Sequence, residues 1–504
     1  MSLLGLDIGT TGCKAAAFDE SGKMLSSYYE EYPLYIPEAD QCELDPHKMW
    51  KAVQRVIRGT ALDVKSSDPV KAIGISTLGD SVTPLDKNGD PIYRTIVGAA
   101  DRRAVSQAAW IEEHISREEL FKLTGAPLHA YCTVPKIMWF RDNRPDIFRQ
   151  AAKFAGWQEI IHTKLGLAPS MDYSLAGRTM LVNILTRDWA FELFDICGID
   201  PGLFFPLAGS NSVAGEIGPA HAEPLGLDPG VRVITGGFDQ CCCAMGAGVM
   251  EPGMAALTLG TLECITAVYD ICRLETPLLE GNHGCGFHVA DGFYFSLGYV
   301  TTSGAVLRWY RDTLGLAEVQ EAKKHKQDPY DIMINSTPDR PANVFVLPYF
   351  TGTGTPWLDL NQRGAFFGLS LDTDRSEIIK GILDGICYEV KLNLESMESA
   401  GLTISRLRAV GGGARSHRWM QLKADITDVP VETTGITEAG CLGAAFLAGQ
   451  GLGIYASPGD INNMVSVSKI FEPRTSFKEK YEETYLCYKD LRERVKGLDF
   501  KRLK

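Results

Sequence analysis

The residue best suited to catalysis is Asp239, which follows a predicted strand over residues 231–235 and a pair of glycines. A carboxylate at a strand end can project into a cleft between two halves of a protein. Phosphoryl transfer to an alcohol needs one such group, because a positioned base orients the attacking hydroxyl and accepts its proton. Asp239 is also suited to cap a helix predicted over residues 241–249, since aspartate is a favoured N-cap residue. The residue pattern leaves both roles open.

A second candidate for chemistry is the turn 9–12 (GTTG), which joins predicted strands over residues 3–8 and 13–19. Two glycines and two threonines let backbone N–H groups and hydroxyls approach a phosphate closely. Asp7, at the strand end, can order the waters around Mg²⁺, and Lys14 supplies a point charge for a phosphate oxygen. A tight hairpin that binds no ligand is the alternative interpretation.

The same pattern recurs about half a chain later. Gly260-Thr261 joins predicted strands over residues 256–261 and 262–270, again ending in an aspartate. We interpret the two hairpins as copies of one duplicated unit, and chance similarity between two hairpins is the alternative. Two such hairpins facing each other would form a cleft for a polyphosphate.

A run of three glycines at residues 411–413 follows a predicted strand (407–410) and opens a predicted helix (416–425). In this arrangement backbone passes close to a nucleotide at a helix N-terminus, although close packing alone also favours glycine. The glycine spacing is not that of a Rossmann fingerprint, and the sequence has no GxxxxGK[ST] motif.

Strands and helices alternate around these motifs. A helix is predicted to start near Asp45, with Pro46 in its first turn, and a strand follows over residues 72–75. Alternation of this kind indicates an α/β architecture. A chain of 504 residues is too long for one ordinary core, so two large domains are expected. The charged segment after Glu472 predicts an amphipathic helix.

Composition limits the partners and the compartment. A net charge of −13 argues against nucleic acid or an anionic membrane as the main partner, because both favour clustered Lys and Arg. No stretch approaches the roughly 18 apolar residues that span a bilayer, and the amino-terminal segment reads as a strand rather than a signal peptide. Thirteen cysteines predict free thiols in a reducing compartment, so we expect a cytoplasmic protein. Cys241, Cys242 and Cys243 are expected to be small buried residues of a helix.

Several motifs, in order along nearly the whole chain, resemble those of the FGGY carbohydrate kinases. Residues 131–143 (YCTVPKIMWFRDN) are similar to the first family signature, and 364–369 (GAFFGL) with Glu377, Ile378 and Asp384 are similar to the second. The chain departs from the second at Gly381, where the family usually has Ala or Ser. Residues 348–349 and 355–356 resemble the preceding block, with Thr353-Gly354 in place of the usual Glu-Arg. Residues 411–421 (GGGARSHRWMQ) with 424–425 and 430–431 resemble the adenosine block.

The resemblance implies an α/β fold of two ribonuclease-H-like (actin/hexokinase-like) domains, with ATP and substrate in the cleft between them. Residues 1–248 would form the N-terminal domain, carrying the substrate side, the first phosphate turn and the catalytic aspartate. Residues 249–504 would form the C-terminal domain on the nucleotide side. The resemblance also implies ATP and Mg²⁺ as cofactors, closure of the domains around the reactants, and a homodimer.

Residue roles can be carried over by position. Asp239 matches the general base, and Asp7 matches a residue that holds the metal through water. The ATP-binding positions are matched by Gly9, Thr10, Thr11, Lys14, Gly260, Thr261, Gly304, Arg308, Gly412, Gly413 and His417. The substrate-binding positions are matched by Gly79, Asp80, Asp101, Tyr131 and Gln240.

The acceptor is less defined by the resemblance. Glycerol kinases have Arg-Glu where this chain has Gly79-Asp80, and xylulokinases have Met-His there and Trp-Asn in place of Ala99-Ala100. The small residues predict a roomier pocket, and Asp80 offers acceptor atoms for sugar hydroxyls. A pentulose such as xylulose is the leading expectation; a sugar acid such as gluconate, glycerol or a signalling polyol are the alternatives.

Two functions outside this class compete with a kinase. An actin-like ATPase switch would hydrolyse ATP without a sugar acceptor, and a non-catalytic relative would only bind. The Lys136 signature and the Asp239-Gln240 turn favour the kinase over the switch. An intact Asp7, both Gly-Thr turns and Asp239 argue against the non-catalytic relative.

Overall fold

The structure, a computed structural model, describes residues 1–98 and 100–498. The strands in chain order are β1 Ser2–Ile8, β2 Gly12–Phe18, β3 Met24–Glu31, β4 Leu34–Tyr35, β5 Glu43–Leu44, β6 Val70–Thr77, β7 Thr83–Leu85, β8 Thr95–Ile96, β9 Lys153–Ala155, β10 Met171–Asp172, β11 Val182–Asn183, β12 Asp188–Trp189, β13 Leu207–Ala208, β14 Val213–Glu216, β15 Arg232–Phe238, β16 Met254–Leu259, β17 Glu263–Tyr269, β18 Gly286–Phe287, β19 Tyr294–Val300, β20 Phe345–Leu347, β21 Ala365–Phe367, β22 Arg406–Gly411, β23 Val431–Thr434 and β24 Val467–Phe471.

The helices in chain order are α1 Pro46–Val64, α2 Val105–His114, α3 Arg117–Thr124, α4 Thr133–Asn143, α5 Pro145–Gln150, α6 Trp157–Lys164, α7 Tyr173–Gly177, α8 Phe191–Cys197, α9 Pro219–Ala222, α10 Asp239–Gly246, α11 Thr276–Glu280, α12 Gly304–Thr313, α13 Leu316–His325, α14 Pro329–Asn335, α15 Arg375–Ser399, α16 His417–Thr427, α17 Ala439–Gly451 and α18 Thr475–Val495. Short 3₁₀ turns occur at Pro201–Leu203, Glu223–Leu225, Gly412–Arg415 and Pro458–Asn463.

Two sheets share one topology. In the first, β3, β2 and β1 pair antiparallel, and β6 and then β15 add in parallel beside β1. In the second, β19, β17 and β16 pair antiparallel, and β22 and then β23 add in parallel beside β16. The order 3-2-1-4-5 with the same strand directions therefore occurs twice. This confirms the predicted pair of ribonuclease-H-like domains and favours duplication over chance similarity of two hairpins.

The helices that follow the fifth strand of each sheet cross between the two sheets. Helix α17, from the second half of the sequence, lies on β1 and β6 of the first sheet. A Cβ at Gly5 would overlap the carbonyl oxygen of Cys441, and one at Gly74 would overlap that of Ala444. Helix backbone thus rests directly on strand backbone, which only glycine permits at these positions.

Helix α10, from the first half, packs toward the second sheet. Ala244 and Ala247 share a buried apolar cluster with β16 and β22. Arg408, on β22, donates to the carbonyl oxygens of Ala247 (3.0 Å) and Gly248 (2.9 Å) just beyond the end of α10. The two sequence halves are therefore interlocked through α10 and α17. The domain boundary placed between residues 248 and 249 stays a prediction.

Most predicted elements near the motifs occur with shifted ends. Helix α1 is capped by Asp45, as expected. The strand predicted to end at residue 235 continues to Phe238, because the glycine pair forms a bulge inside β15. Helix α10 consequently begins at Asp239 and not at residue 241. Helix α18 is amphipathic, and Tyr481, Tyr485 and Tyr488 are buried in the core of the second domain.

The segment between β6 and β14 carries α2 to α8 and forms its own apolar cluster beside the first sheet. All thirteen cysteines are free thiols; Cys241 and Cys242 are buried in α10 as predicted, whereas Cys243 in the same helix is only half-buried. Over residues 1–98 and 100–498, no helix is both long enough and apolar enough to cross a membrane.

Candidate active site

Asp239 is brought into the cleft by a bulge at the end of β15. Gly236 has φ +77°, and a Cβ there would overlap the carbonyl oxygen of Ile75 on β6. A Cβ on Gly237 would lie 2.6 Å from Ser174 Oγ, so both positions require glycine. The N-cap of α10 is Phe238, and no side chain caps this helix. The competing role of Asp239 as an N-cap is therefore wrong.

The charge state of Asp239 is set by its surroundings. Burial is the main cause and the negative charges of Asp7 and Asp80 add to it, so the pKa of Asp239 is raised to about 8 although hydrogen bonds from Gln240 lower it. Burial, followed by the charge of Asp239, raises the pKa of Cys264, which lies on β17 just after the second Gly-Thr turn. Asp239 thus lies close both to Asp7, before the first turn, and to the strand that leaves the second.

Asp7 ends β1 at the first turn. Ser76 Oγ donates to Asp7 Oδ1 (2.6 Å), and a Cβ on Gly440, in the first turn of α17, would lie 3.0 Å from Asp7 Oδ2. Burial raises the pKa of Asp7, and Ser76 and Lys14 lower it. A half-buried carboxylate with one oxygen free suits a hydrated Mg²⁺. Among the described residues, no three His, Cys, Asp or Glu side chains are grouped so that they could hold a metal ion.

The first Gly-Thr turn is held open by a tyrosine. Gly9 N donates to Gly12 O (3.0 Å), which closes the hairpin. Tyr32 donates its hydroxyl to the carbonyl oxygens of Gly9 and Gly12, which keeps both pointing inward. Thr10 and Thr11 are left half-exposed and exposed at the tip. The turn therefore presents N–H groups and hydroxyls to the cleft.

Lys14, which follows this turn, forms an ion pair. Its ammonium group pairs with Glu438, the residue that precedes α17, and both side chains are about a quarter exposed at 28% and 22%. The ring of Tyr29 lies 5.3 Å from Lys14 Nζ. Because Glu438 lies at the start of α17, the packing of α17 on the first sheet also positions Lys14, the predicted phosphate-binding cation.

The second Gly-Thr turn supports the start of helix α12. Gly304 N donates to Gly260 O (3.1 Å), and Ala305 N donates to Thr261 O (3.0 Å). A Cβ on Gly304 would lie 2.6 Å from Gly260 O, which explains glycine at this position. Arg308 is exposed one turn further along α12. The structure thus brings these four predicted ATP-binding positions together at one side of the cleft.

A buried ion pair lies behind the second turn. Lys423 Nζ donates to Glu263 Oε1 (2.6 Å), and Ser303 Oγ donates to Glu263 Oε2 (2.9 Å). Both charged side chains are fully buried. Because Lys423 lies on α16, this pair joins the second turn to the helix that follows the glycine run. Removing one partner would leave a buried charge unpaired.

The glycine run lies at the open end of β22. Gly411 has φ +92°, and its Cβ would lie 2.5 Å from Leu259 O, so the chain turns sharply beside β16. Nothing lies within 4 Å of a Cβ placed on Gly412, whereas Gly413 packs against Leu259 and Trp419. His417 is exposed at the first position of α16. The surface at Gly412 and His417 is open and leaves room for a flat aromatic ring, such as a nucleotide base.

Asp80 and Arg178 form the floor of the substrate side. Arg178 donates through Nε (3.1 Å) and Nη2 (2.6 Å) to Asp80 Oδ2, and the guanidinium lies over the ring of Phe238. Asp80 has φ +56°, an uncommon conformation for a residue with a side chain. Gly79 leaves room for the Phe238 ring, whose Cε2 atom would lie 2.7 Å from a Cβ there. Phe238 directly precedes Asp239, so this floor adjoins the base.

Lys136 ties the loops of the substrate side together. Its ammonium group donates to the carbonyl oxygens of Asp80 (2.7 Å), Val97 (2.6 Å) and Tyr131 (2.6 Å). Burial lowers the pKa of Lys136 to about 8. Tyr131 is buried and lies next to Tyr299, which belongs to the second sheet. The signature lysine is therefore a positioning residue, and Tyr131 lies where the two domains meet.

Asp101, which was expected to bind substrate, lies in a buried network of hydrogen bonds. Oδ2 accepts from Cys42 N (2.7 Å) and Arg103 Nη2 (2.8 Å), and Oδ1 accepts from Arg103 N (3.1 Å). Asp101 is fully buried and has no oxygen open to the cleft. Of the alanine pair expected to widen the pocket, Ala99 lies outside the described residues and Ala100 is exposed. Gln240 keeps a buried Oε1 without a hydrogen-bond partner beside Asp239.

Sequence reasoning missed three residues of this site, namely Arg178, Tyr299 and Glu438. Each reaches the cleft through contacts distant in sequence; Arg178 binds Asp80 from 98 residues away, and Glu438 binds Lys14 from 424 residues away. None belongs to a pattern with a recognisable spacing. Arg178 is a charged residue in a segment of mostly small and apolar residues, and this contrast was the one feature of the sequence that could have pointed to it.

Comparison with known proteins adds an independent line of support. The sequence profile of the "FGGY family of carbohydrate kinases, N-terminal domain" matches residues 2–246, and that of the C-terminal domain matches residues 255–452. A gluconokinase of Bacillus subtilis is 31% identical over 472 residues, covering 92% of this chain and 89% of the relative. A glycerol kinase of Lactococcus lactis is 32% identical over 503 residues, covering 97% of each chain. The ligand-bound structure of a xylulose kinase from Lactobacillus acidophilus superimposes with a TM-score of 0.89, 26% identity and 99% of each chain covered.

The raised pKa of Asp239 predicts a pH-dependent gain in stability when the carboxyl group is removed. The folded protein binds this proton up to about pH 8, whereas an unfolded aspartate releases it near pH 4. The contribution of Asp239 to stability is therefore full below about pH 4 and lost as the pH rises to about 8. Asp239→Asn avoids this loss, so its melting temperature should exceed that of the wild type more at pH 8.5 than at pH 6. An equal difference at both pH values, measured by thermal unfolding of the ligand-free protein, would contradict the raised pKa.

Proposed function

The chain belongs to the FGGY family of carbohydrate kinases, and from this premise we propose that it phosphorylates a neutral polyhydroxylated acceptor with Asp239 as the general base. The enzyme is an ATP-dependent kinase with an alcohol group as acceptor. The finer assignments, namely the residue roles, the metal and the acceptor, are the proposal. The homodimer implied by the family resemblance stays a prediction.

One observation carries the role of Asp239. Its carboxylate is half-buried at the start of α10, close to Asp7 on one side and to the strand after the second Gly-Thr turn on the other. A base in this place can take the proton of an acceptor hydroxyl while that oxygen attacks the terminal phosphorus. The raised pKa suits this task, because the carboxylate becomes a better proton acceptor as its pKa approaches the working pH.

The two turns would hold the nucleotide. Backbone N–H groups of Thr10 and Thr11 and the ammonium of Lys14 would face the phosphates from the first sheet, and Gly260 and Thr261 would face them from the second, while Gly9 closes the first turn. Gly304 and Arg308 would flank the ribose and base, opposite Gly412, Gly413 and His417. Mg²⁺ bound near Asp7 through water would offset the charge that moves onto the leaving ADP. Lys14 can leave Glu438 for a phosphate oxygen, because both side chains are about a quarter exposed and solvent weakens their attraction.

The charges of the pocket favour a neutral acceptor. Arg178 is already neutralised by Asp80, and Asp239 lies beside both. A substrate carboxylate would add an uncompensated negative charge to this half-buried group of acids, whereas hydroxyls would not. Hydroxyls can donate to the unpartnered Gln240 Oε1 and accept from the Arg178 guanidinium. A pentulose such as xylulose fits this description best, with polyols such as glycerol next and gluconate last.

Removing the base tests the mechanism. Asp239→Asn should lower kcat by roughly 100- to 10,000-fold, the range of general-base catalysis, because the amide cannot accept the proton. The dissociation constant of ATP should stay within about threefold, since the variant keeps both turns and replaces the carboxyl group with an amide of the same shape. Kinetics by ADP release and binding by calorimetry measure the two quantities. Asp195→Asn, an exposed aspartate of α8, is the matched control and should behave as the wild type.

A near-wild-type kcat in Asp239→Asn would reject Asp239 as the base. Loss of ATP binding together with activity would show that the substitution disturbs the fold, and would leave no support for a role confined to catalysis.

An acceptor panel tests the preference for neutral substrates. A coupled ADP-release assay across pentuloses, polyols and sugar acids should give kcat/KM values at least about 10-fold higher for the best neutral acceptor than for gluconate, equivalent to about 1.4 kcal/mol. Preference for gluconate would contradict the charge argument and leave the kinase activity intact. ADP release at the same rate without any acceptor would instead identify an ATPase switch.

A further inference from the structure

A small internal cavity lies behind the substrate pocket. Its volume is about 20 Å³, and its lining includes Asp80, Ser81 and Glu159 together with Thr133 and Thr179. Asp80 and Ser81 belong to the loop after β6, whereas Glu159 lies on α6. The cavity therefore separates the loop that carries the Asp80–Arg178 pair from the helix behind it.

Three buried oxygens of residues that line this cavity lack a hydrogen-bond partner within residues 1–98 and 100–498. They are Asp80 Oδ1, Ser81 Oγ and Glu159 Oε1. The other oxygen of each carboxyl group already accepts a hydrogen bond. Arg178 donates to Asp80 Oδ2, and Gly156 N donates to Glu159 Oε2 (2.6 Å). A buried polar atom left without a hydrogen bond destabilises the folded protein, so three such atoms on the residues of one cavity indicate a shared partner.

We propose that this cavity binds one water molecule that joins Glu159 and Ser81 to Asp80, and that Glu159 is thereby a positioning residue for the acceptor. A water needs at least about 10–15 Å³ and two to four polar partners, and this cavity offers both while excluding any sugar. The inference rests on the proposed role of the Asp80–Arg178 pair in holding the acceptor.

The arrangement leaves Arg178 as the group that faces the acceptor. Asp80 is only 8% exposed, and its free oxygen is buried, whereas the Arg178 side chain is 20% exposed. Asp80 thus acts through Arg178, and the water and the Lys136 bond to Asp80 O hold Asp80 in place from behind. The left-handed backbone of Asp80 makes such support necessary, because this conformation is unfavourable for residues with a side chain.

The protonation of Glu159 fits a water between two carboxyl groups. Burial, with a smaller contribution from the charge of Asp172, raises the pKa of Glu159 to about 8, although the hydrogen bond from Gly156 N lowers it. Asp80 faces Glu159 across the cavity, with Arg178 behind it, and His162 lies one turn further along α6. A neutral Glu159 can donate to the water, which in turn donates to Asp80 Oδ1.

Four variants test the proposal. Ser81→Ala and Glu159→Ala each remove a partner of the water, and should raise the acceptor KM about 5- to 20-fold, with kcat within about threefold and the KM of ATP unchanged. Glu159→Gln keeps a neutral group of the same shape and should restore the acceptor KM. Glu119→Ala is the matched control, because Glu119 has the same capping role on the exposed helix α3 that Glu159 has on α6, and its KM should not change. A high-resolution crystal structure should show the water bonded to all three residues.

The outcomes separate this inference from the proposed function. An unchanged acceptor KM in Ser81→Ala and Glu159→Ala, with a raised KM in Arg178→Ala, overturns the water and leaves the substrate pocket standing. An unchanged KM in Arg178→Ala overturns the pocket assignment itself. A lower melting temperature in Glu159→Ala without any change in KM identifies a merely structural role, and direct contact between Glu159 and Asp80 in the crystal overturns the water site.

Discussion

Helices α10 and α17 cross with almost no side chain between them, and the catalytic geometry depends on this crossing. A Cβ on Gly246 would overlap the carbonyl oxygen of Ala439, and one on Gly443 would overlap that of Cys242. Gly5 and Gly74 bring α17 equally close to the first sheet. Asp239 begins one helix and Glu438, which pairs with Lys14, precedes the other, so the same contact fixes Asp239 relative to the first Gly-Thr turn. Larger residues at these glycines would move these groups apart.

The site formed by this crossing is rich in acids that are only partly balanced. Asp7 and Asp80 each lie close enough to Asp239 to raise its pKa, and two cations of the site, Lys14 and Arg178, are already paired. The proposed binding of phosphate by the backbone of the two Gly-Thr turns, with Lys14 exchanging Glu438 for a phosphate oxygen, agrees with a strongly acidic chain. Functional sites commonly keep such unfavourable groups at a cost in stability, because the reaction needs them.

Much of the fold was accessible from sequence because its signals are local. The hairpin at 9–12, its copy at 260–261, and Asp45 with Pro46 at the start of α1 each follow from neighbouring residues. The bulge at Gly236 was missed, since a glycine pair resembles a strand end when the strand beside it is unknown. The hydrogen bonds of Asp101 to Cys42 and Arg103 were also not predicted, because these partners come together only when the chain is folded. The crossing of α17 onto the first sheet, and with it the Glu438–Lys14 pair, has no local signal at all.

The most direct measurement is a crystal structure of the enzyme with a non-hydrolysable ATP analogue, Mg²⁺ and an acceptor that the enzyme turns over. The account predicts a carboxylate oxygen of Asp239 within about 3 Å of one acceptor hydroxyl, with that hydroxyl in line with the terminal phosphorus between the two turns. An acceptor hydroxyl poised at the phosphorus without contact to Asp239, or a nucleotide bound away from both turns, would contradict it.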